Sequence, residues 1–160
     1  MEIKEIQEQD YHYLVDWNKR KNQDFLQQWA GPIAYFYPIS ERQIAARIDD
    51  GAHIYIVQQD EKVIGSFELD INLGKKQAFL SRVLFDEVIH GQGLGTKALS
   101  LMANNVFEKY PIHKIILHVY CFNTGAIRCY QKVGFRITAT NETEDEKWNS
   151  YTMECQKNAH

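Results

Sequence analysis

Runs of apolar and polar residues along the chain predict seven β-strands. Three of these runs follow one another with only short, turn-like stretches between them, which predicts an antiparallel meander. The run at 114–120 is rich in β-branched residues and favours a strand because such side chains pack well on a pleated surface. The predicted strands cover residues 3–7, 53–59, 62–72, 77–85, 114–120, 135–140 and 148–156.

Apolar residues at three- and four-residue spacing predict four helices. Asp10 is expected to cap the first, and Ser40 followed by Gln43 is a capping-box signature for the second. The stretch 22–37 between these two helices is rich in aromatic residues and is expected to be irregular. The predicted helices cover residues 11–21, 41–49, 95–110 and 124–133.

The order of these elements predicts an α+β fold, an α/β sandwich in one domain over residues 1–160. A strand at 77–85, a glycine-rich turn, a helix and a strand at 114–120 imply a right-handed crossover between parallel neighbours. The remaining strands favour antiparallel pairing. The expected sheet is therefore mixed and mostly antiparallel, with about seven strands, a central parallel pair and helices on both faces.

The glycine-rich turn is the main candidate for ligand binding. Gly91, Gly93 and Gly95 alternate just before a helix whose first amides have no partner within the helix, and such amides attract anions. No Lys-Ser or Lys-Thr follows the glycines, which excludes a P-loop, and their spacing is not that of a dinucleotide fingerprint. The turn therefore either binds a phosphate group or is merely flexible.

Composition and charge exclude several classes of partner. The 160 residues carry a formal net charge of −3 with scattered lysines and arginines, which argues against nucleic-acid binding. No run of apolar residues is long enough for a membrane span, and the first ten residues contain no apolar leader segment. Cys121, Cys129 and Cys155 lack metal-site spacing, so we expect no metal and a cytoplasmic location.

Two motifs resemble the GNAT superfamily of acyl-CoA-dependent N-acetyltransferases: HGQGLG after a strand, and CFNTGAIRCYQKVGF after the next strand. In the first, His90 stands where the family has Arg or Gln. The second contains Asn123, Ala126 and Tyr130 before Gly134. The early segment WNKRKNQDFLQQWAGP is similar to the branch of ribosomal-protein and polyamine acetyltransferases.

This resemblance implies acetyl-CoA as the co-substrate. Amides of the glycine-rich turn would hold its pyrophosphate, and its pantetheine arm would follow the end of strand 77–85, where a bulge opens a cleft toward strand 114–120. An amide near Val83 or Leu84 would stabilise the oxyanion. The implied cofactor-binding residues are Val83, Leu84, Phe85, His90, Gly91, Gln92, Gly93, Leu94, Gly95, Thr96, Asn123, Ala126 and Tyr130.

The resemblance also implies a direct attack of a primary amine on the thioester. Tyr130 would protonate the leaving thiolate, and the alternative is a tyrosine that only packs in the core. Glu68 in the middle of strand 62–72 is the candidate general base, and the alternative is that its face, which includes Ser66 and Asp70, is solvated. A second reading of the whole chain is a non-catalytic CoA-binding sensor or interaction module.

The acceptor is expected to be a small-molecule amine or a peptide N-terminus. Trp29, Tyr35 and Phe36 are candidates for the wall of its pocket, or else a hydrophobic plug over the core. An exposed final strand with Trp148 and Tyr151 would support a homodimer.

Overall fold

The computed structural model describes residues 1–159, so that of the predicted domain only His160 lies outside the described residues. All seven predicted strands are present, three of them with the predicted bounds. The strands are β1 (Glu2–Glu5), β2 (Ile54–Gln59), β3 (Lys62–Asn72), β4 (Gln77–Phe85), β5 (Lys114–Tyr120), β6 (Arg136–Asn141) and β7 (Ser150–Gln156). The α-helices of the described chain are α1 (Tyr11–Trp17), α2 (Gln23–Ala30), α3 (Glu41–Asp49), α4 (Leu94–Lys109) and α5 (Thr124–Val133).

The strands form a mixed sheet in the order β1-β2-β3-β4-β5-β7-β6. β4 and β5 are parallel, with Gln77 opposite Lys114 and Phe79 opposite Ile116. β1–β2, β2–β3, β5–β7 and β6–β7 are antiparallel. The predicted mostly antiparallel sheet with a central parallel pair is therefore confirmed.

The final strand is not an edge strand, contrary to expectation. β7 is hydrogen-bonded to β5 on one side and to β6 on the other, so its backbone groups already have partners within the sheet. Extension of a sheet from one chain into another needs an open strand edge. Dimerisation through the edge of β7 is therefore ruled out, and the homodimer itself stays a prediction.

The chain packs as two compact units, each of which it enters twice. The first comprises residues 1–69 and 81–92, and the second comprises residues 70–80 and the chain from 93 onward. Neither unit is a continuous segment of sequence. The expectation of one domain over residues 1–160 stays a prediction.

The first unit contains a helix that the sequence analysis did not predict. α2 occupies part of the aromatic stretch 22–37, where the prediction of irregular structure was wrong. The Asn22 side chain caps it by accepting a hydrogen bond from the Phe25 amide at 2.9 Å. Leu26 and Ala30, four residues apart, are buried on its inner face. The density of aromatic residues concealed this ordinary helical spacing.

α1 is shorter than predicted, ending at Trp17 rather than near residue 21. The Asn18 side-chain amide donates to the Leu14 carbonyl at 2.6 Å, and the Asn18 backbone N–H donates to Val15. Such bonds take the carbonyls that a continuing helix would use, and therefore end it. Asp10 occupies the N-cap position, but its side chain accepts from the Gln7 amide instead of capping α1.

The core of each unit is built from the predicted apolar faces. In the first, Leu14, Ile44, Ile56 and Phe67 are fully buried. In the second, α4 and α5 contribute Leu99, Met102 and Ile127, and the strands contribute Leu117 and Met153. No helix in residues 1–159 combines the length and apolar character that crossing a membrane requires.

Candidate functional site

The glycine-rich turn has the local conformation that its sequence suggests. Gly91 and Gly93 have φ values of +81° and +73°, in the left-handed region that only glycine adopts without strain. Gly93 is the N-cap of α4, which begins at Leu94, one residue before the predicted start. The glycines therefore turn the chain sharply into a sixteen-residue helix.

The first turn of α4 presents unpaired backbone donors. The Lys97 amide makes the first bond of the helix, to the Gly93 carbonyl at 3.2 Å. The amides of Leu94, Gly95 and Thr96 precede it and have no carbonyl four residues back within the helix. No acidic residue lies in this turn. These amides and the positive end of the helix dipole make the turn suited to an anion.

Gln92 is less suited to that role than the sequence suggested. Its backbone amide donates to the Ile89 carbonyl at 3.3 Å, and its side-chain amide donates to the Val88 carbonyl at 3.0 Å. His90 is exposed, and its amide donates to Glu87 at 3.1 Å. The amides of the α4 first turn are better placed to bind an anion than those of His90 and Gln92.

Tyr130 is buried on α5, with 7% of its surface exposed. Its ring meets that of Phe135 edge-on at a centroid distance of 5.8 Å. Burial raises the pKa of the Tyr130 phenol, and the neighbouring Cys129 raises it further. The phenol is therefore protonated at neutral pH, as a proton donor must be. The core-packing alternative is met, and the role of Tyr130 as a proton donor stays a prediction.

One side-chain contact joins α5 to the first turn of α4. The Thr96 hydroxyl lies 3.3 Å from the Cys129 thiol, which immediately precedes Tyr130. Both residues belong to the second unit. The two motifs that were singled out in the sequence therefore meet in the fold.

Asn123 stands at the N-cap position of α5, but its side chain makes no capping hydrogen bond. An asparagine just before a helix is expected to cap it with its side chain, and that expectation is wrong here. Its carbonyl accepts from the Ile127 amide at 3.1 Å, so the backbone alone starts the helix. Ala126, one turn before Tyr130, is half-buried.

Glu68 is buried rather than solvated. Glu68 and Ser66 are 7% and 2% exposed, while Asp70 on the same face of β3 is exposed. The solvated alternative therefore fails for the first two residues and holds only for the third. A buried carboxylate requires compensating charge, since desolvation of an ion is expensive.

Arg47 supplies most of that charge. Its Nη2 donates to Oε1 of Glu68 at 2.8 Å, and its Nη1 contacts Oε2. Although burial lowers it, hydrogen bonds to Glu68 and Tyr35 raise the pKa of Arg47 on balance, so it stays charged. Paired N–H donors on a carboxylate are the strong form of this interaction.

Arg82 is the second cation near Glu68. Its Nη1 donates to the Ser81 hydroxyl at 3.0 Å and lies 3.4 Å from Oε1 of Glu68. Its φ is +50°, a strained backbone conformation for a residue with a side chain. Its Nε is buried and has no hydrogen-bond partner among residues 1–159. We call Arg47, Glu68, Arg82 and Tyr35 the arginine cluster.

Two of the three predicted pocket-wall residues lie at this cluster. Tyr35 is 6% exposed, and its hydroxyl accepts from Arg47 at 3.3 Å. The Trp29 and Tyr35 rings lie 5.8 Å apart. Phe36 is different, with 84% of its surface exposed.

Sequence reasoning missed both arginines. Arg82 interrupts the apolar strand β4, which was the one available signal. Arg47 looked like an ordinary basic residue in the last turn of α3.

The strand end predicted to hold the pantetheine arm belongs to the first unit. Leu84 is buried, while Val83 and Phe85 are half-buried. β4 pairs with β5 over Gln77–Phe79, well before these residues. Residues 1–159 contain no group of three His, Cys, Asp or Glu side chains arranged to hold a metal ion.

Comparison with known proteins identifies relatives that are named as N-acetyltransferases. The chain is 32% identical over 80 residues to a spermine/spermidine N(1)-acetyltransferase of Bacillus subtilis, an alignment that covers 50% of this chain and 53% of that protein. It is 28% identical over 125 residues to the probable N-acetyltransferase YjcK of the same species, covering 72% and 69%. The chain thus spans about half the length of the first of these relatives.

Solved structures show the same fold. A spermidine N-acetyltransferase from Vibrio cholerae, crystallised with CoA and spermine, superposes with a TM-score of 0.80. The match covers 99% of this chain and 96% of that one at 16% identity. A family model described as the acetyltransferase (GNAT) family matches residues 3–135, which is most of the sequence. The chain therefore belongs to the acetyltransferase (GNAT) family.

Proposed function

We propose that this protein transfers an acetyl group from acetyl-CoA to a primary amine. The observation that carries the proposal is the packing of two functional motifs. Tyr130 is a buried, protonated phenol on α5, and the residue before it touches Thr96 in the anion-suited turn of α4. Family membership and the relatives named as N-acetyltransferases support the same activity.

The amides of Leu94, Gly95 and Thr96 would bind the pyrophosphate of acetyl-CoA. A chain with a net charge of −3 has no general positive field, so directed backbone donors must do this work. The Asn123 side chain is not used in capping, which suits it to hydrogen-bond the pantetheine arm. The strand segment Val83, Leu84 and Phe85 would hold the rest of that arm, as the family resemblance implies.

In the reaction, the neutral amine attacks the thioester carbonyl. A carbon–nitrogen bond forms, the carbon–sulfur bond breaks, and the electron pair leaves on sulfur. Tyr130 donates its proton to the thiolate and regains one from solvent, while the attacking nitrogen loses one proton. The products are the acetylated amine and CoA.

The acceptor of the amine proton is either Glu68 or water. Both oxygens of Glu68 already accept N–H groups from Arg47. Protonation of Glu68 would weaken its ion pair with Arg47, and water is the competing acceptor. The cytoplasm, the reducing compartment that the three free cysteines favour, is the proposed location.

An assay of CoA release tests the activity. Purified protein and acetyl-CoA are mixed with a panel of amines: spermidine, spermine, amino acids, amino-acid amides and short peptides. We expect free thiol to appear only with certain amines, in equal amounts to an acetylated product identified by mass spectrometry. Tight CoA binding without turnover over the whole panel would contradict the proposal and favour the non-catalytic CoA-binding module.

A further inference from the structure

The arginine cluster holds more positive than negative charge. Arg47 and Arg82 contribute two cations and Glu68 contributes one anion, which leaves one positive charge. Tyr35 adds none at neutral pH, because burial raises the pKa of its phenol. Arg47 takes both oxygens of Glu68, whereas Arg82 reaches it through a single contact at 3.4 Å. The uncompensated charge therefore lies on Arg82.

The geometry of Arg82 shows which side of its guanidinium is uncommitted. Both of its recorded hydrogen bonds come from Nη1. Its Nε is buried with no partner in the described chain. Nε and Nη2 form the side edge of the guanidinium, with two parallel N–H groups that match the two oxygens of a carboxylate. A buried N–H without a partner is costly, so a ligand that supplies an acceptor gains affinity there.

The surroundings of Arg82 favour contact with a bound acceptor over contact with solvent. The side chain of Arg82 is only 26% exposed, and that of Arg47 only 19%. The cluster contains Tyr35, and Trp29 packs against Tyr35. These are the residues that sequence reasoning assigned to the acceptor pocket. Low exposure makes the pairing of charges there strong, because water screens it little.

We propose that Arg82, positioned by the Glu68–Arg47 ion pair, binds a carboxylate on the amine acceptor. The acceptor class is therefore amino acids or compounds like them, and polyamines, which carry only positive charge, are disfavoured. This inference rests on the proposed acetyltransferase function. It differs from what the names of the Bacillus and Vibrio relatives would suggest for this chain.

Pairs of matched acceptors isolate the effect of the acceptor's negative charge. Each amino acid in the panel is compared with its carboxamide, which keeps the amine and the side chain and removes the negative charge. We expect kcat/KM for the acid to exceed that for the amide by about tenfold or more, as for a buried charge-assisted pair. Spermidine should be a poorer acceptor than the best acid. An aminoalkyl phosphate in the panel tests whether the site prefers a phosphate to a carboxylate. A higher kcat/KM for it than for every amino acid would overturn the assignment of a carboxylate ligand.

Substitution of Arg82 tests the residue. Arg82→Gln should raise KM for the acid with little change in kcat and should leave the amide unaffected. Arg82→Lys keeps the charge but loses the two-donor edge, so it should restore affinity only in part. Arg42→Gln removes an exposed arginine from the same helix as Arg47 and is the control. It should change KM and kcat for neither the acid nor the amide. Thermal melting verifies that each variant is folded.

Calorimetric titration of the best acid into CoA-loaded protein gives a readout that needs no turnover. We expect binding that Arg82→Gln weakens by about tenfold. Acetylation of amides or spermidine as readily as acids would overturn this inference and leave the proposed function intact. Absence of acetylation with every amine would overturn the proposed function. Even in that case, the titration tests the carboxylate site separately, and an amino acid that fails to bind would overturn it.

Discussion

Arg47 engages both oxygens of Glu68, with Nη2 at 2.8 Å from Oε1. The pair joins the last turn of α3 to the middle of β3, 21 residues apart in sequence. Glu68 is 7% exposed, so its charge depends on this partner. The contact therefore fixes the carboxylate proposed to act as a base and, through it, positions Arg82, which is proposed to bind the acceptor.

Removing one partner of this pair should destabilise the protein strongly. Arg47→Met leaves Glu68 buried with only the long contact to Arg82, and we expect a loss of about 3 kcal/mol in the free energy of unfolding. Adding Glu68→Leu should recover part of that loss, because it removes the buried carboxylate and leaves only the partly exposed Arg82 without an anionic partner. Urea denaturation of both single variants and the double variant measures the coupling. Additive losses would show that the two side chains do not interact.

Glu68→Gln tests the general base. If Glu68 accepts the amine proton, kcat should fall by about tenfold or more, because the amide of glutamine cannot take up that proton. Asp70→Asn is the matched control, since Asp70 lies two residues on along the same face of β3 and is exposed. An unchanged kcat with Glu68→Gln would assign the proton to water.

Tyr130→Phe removes the proposed proton donor with little change in volume. We expect kcat to fall by about tenfold or more, while the Kd for CoA stays nearly constant, since the interaction forms in the transition state. Tyr110→Phe, at the end of α4, is the control and should leave both values unchanged. An unaltered rate with Tyr130→Phe would remove Tyr130 from the mechanism.

The same variant should alter stability at high pH. Burial raises the pKa of Tyr130 above its usual value of 10.0, so folding disfavours the ionised phenol. The stability that the protonated phenol contributes is fully present below pH 10 and is lost as the pH rises above that value. The wild type should therefore lose stability more steeply than Tyr130→Phe in this range. Denaturation curves measured above pH 10 compare the two slopes, and equal slopes would show that the phenol is not buried as described.

Gly65 is needed because β3 and the end of β4 approach closely. A Cβ on Gly65 would lie 2.6 Å from Cε1 of Phe85 and 3.2 Å from the Leu84 carbonyl oxygen. We expect Gly65→Ala to cost about 2 kcal/mol, because the ring must move. Gly125→Ala in α5 meets nothing within 4 Å and should stabilise by about 0.5 kcal/mol. Thermal unfolding compares the two, and equal effects would contradict the close packing.

Local sequence signals predicted much of the fold. β3, β4 and β5 have the predicted bounds because turn residues bracket apolar, β-branched runs. α3 has them because the Ser40 hydroxyl accepts from the Gln43 amide at 3.4 Å. α2 was missed because aromatic residues fell on a helical spacing that was not recognised.

Only the parts of the site that are continuous in sequence could be predicted. The glycine turn and the α5 motif are continuous in sequence, so their residues could be named. The contacts of Glu68 with Arg47 and Arg82 span 21 and 14 residues and depend on how α3, β3 and β4 are aligned. Arg47 stands near no motif, and Arg82 lies outside both motifs although it directly precedes Val83. Strand register and helix docking set such contacts, and no local pattern encodes them.

The affinity of Gly93→Asp for CoA, compared with that of Gly51→Asp, tests the central claim most directly. Both glycines have positive φ, and a Cβ at either position meets nothing within 4 Å, so the two substitutions impose similar strain. Only Gly93 precedes the α4 amides proposed to bind pyrophosphate. Isothermal titration should show binding weakened by about a hundredfold or more for Gly93→Asp and unchanged for Gly51→Asp. Wild-type affinity in folded Gly93→Asp would contradict the account.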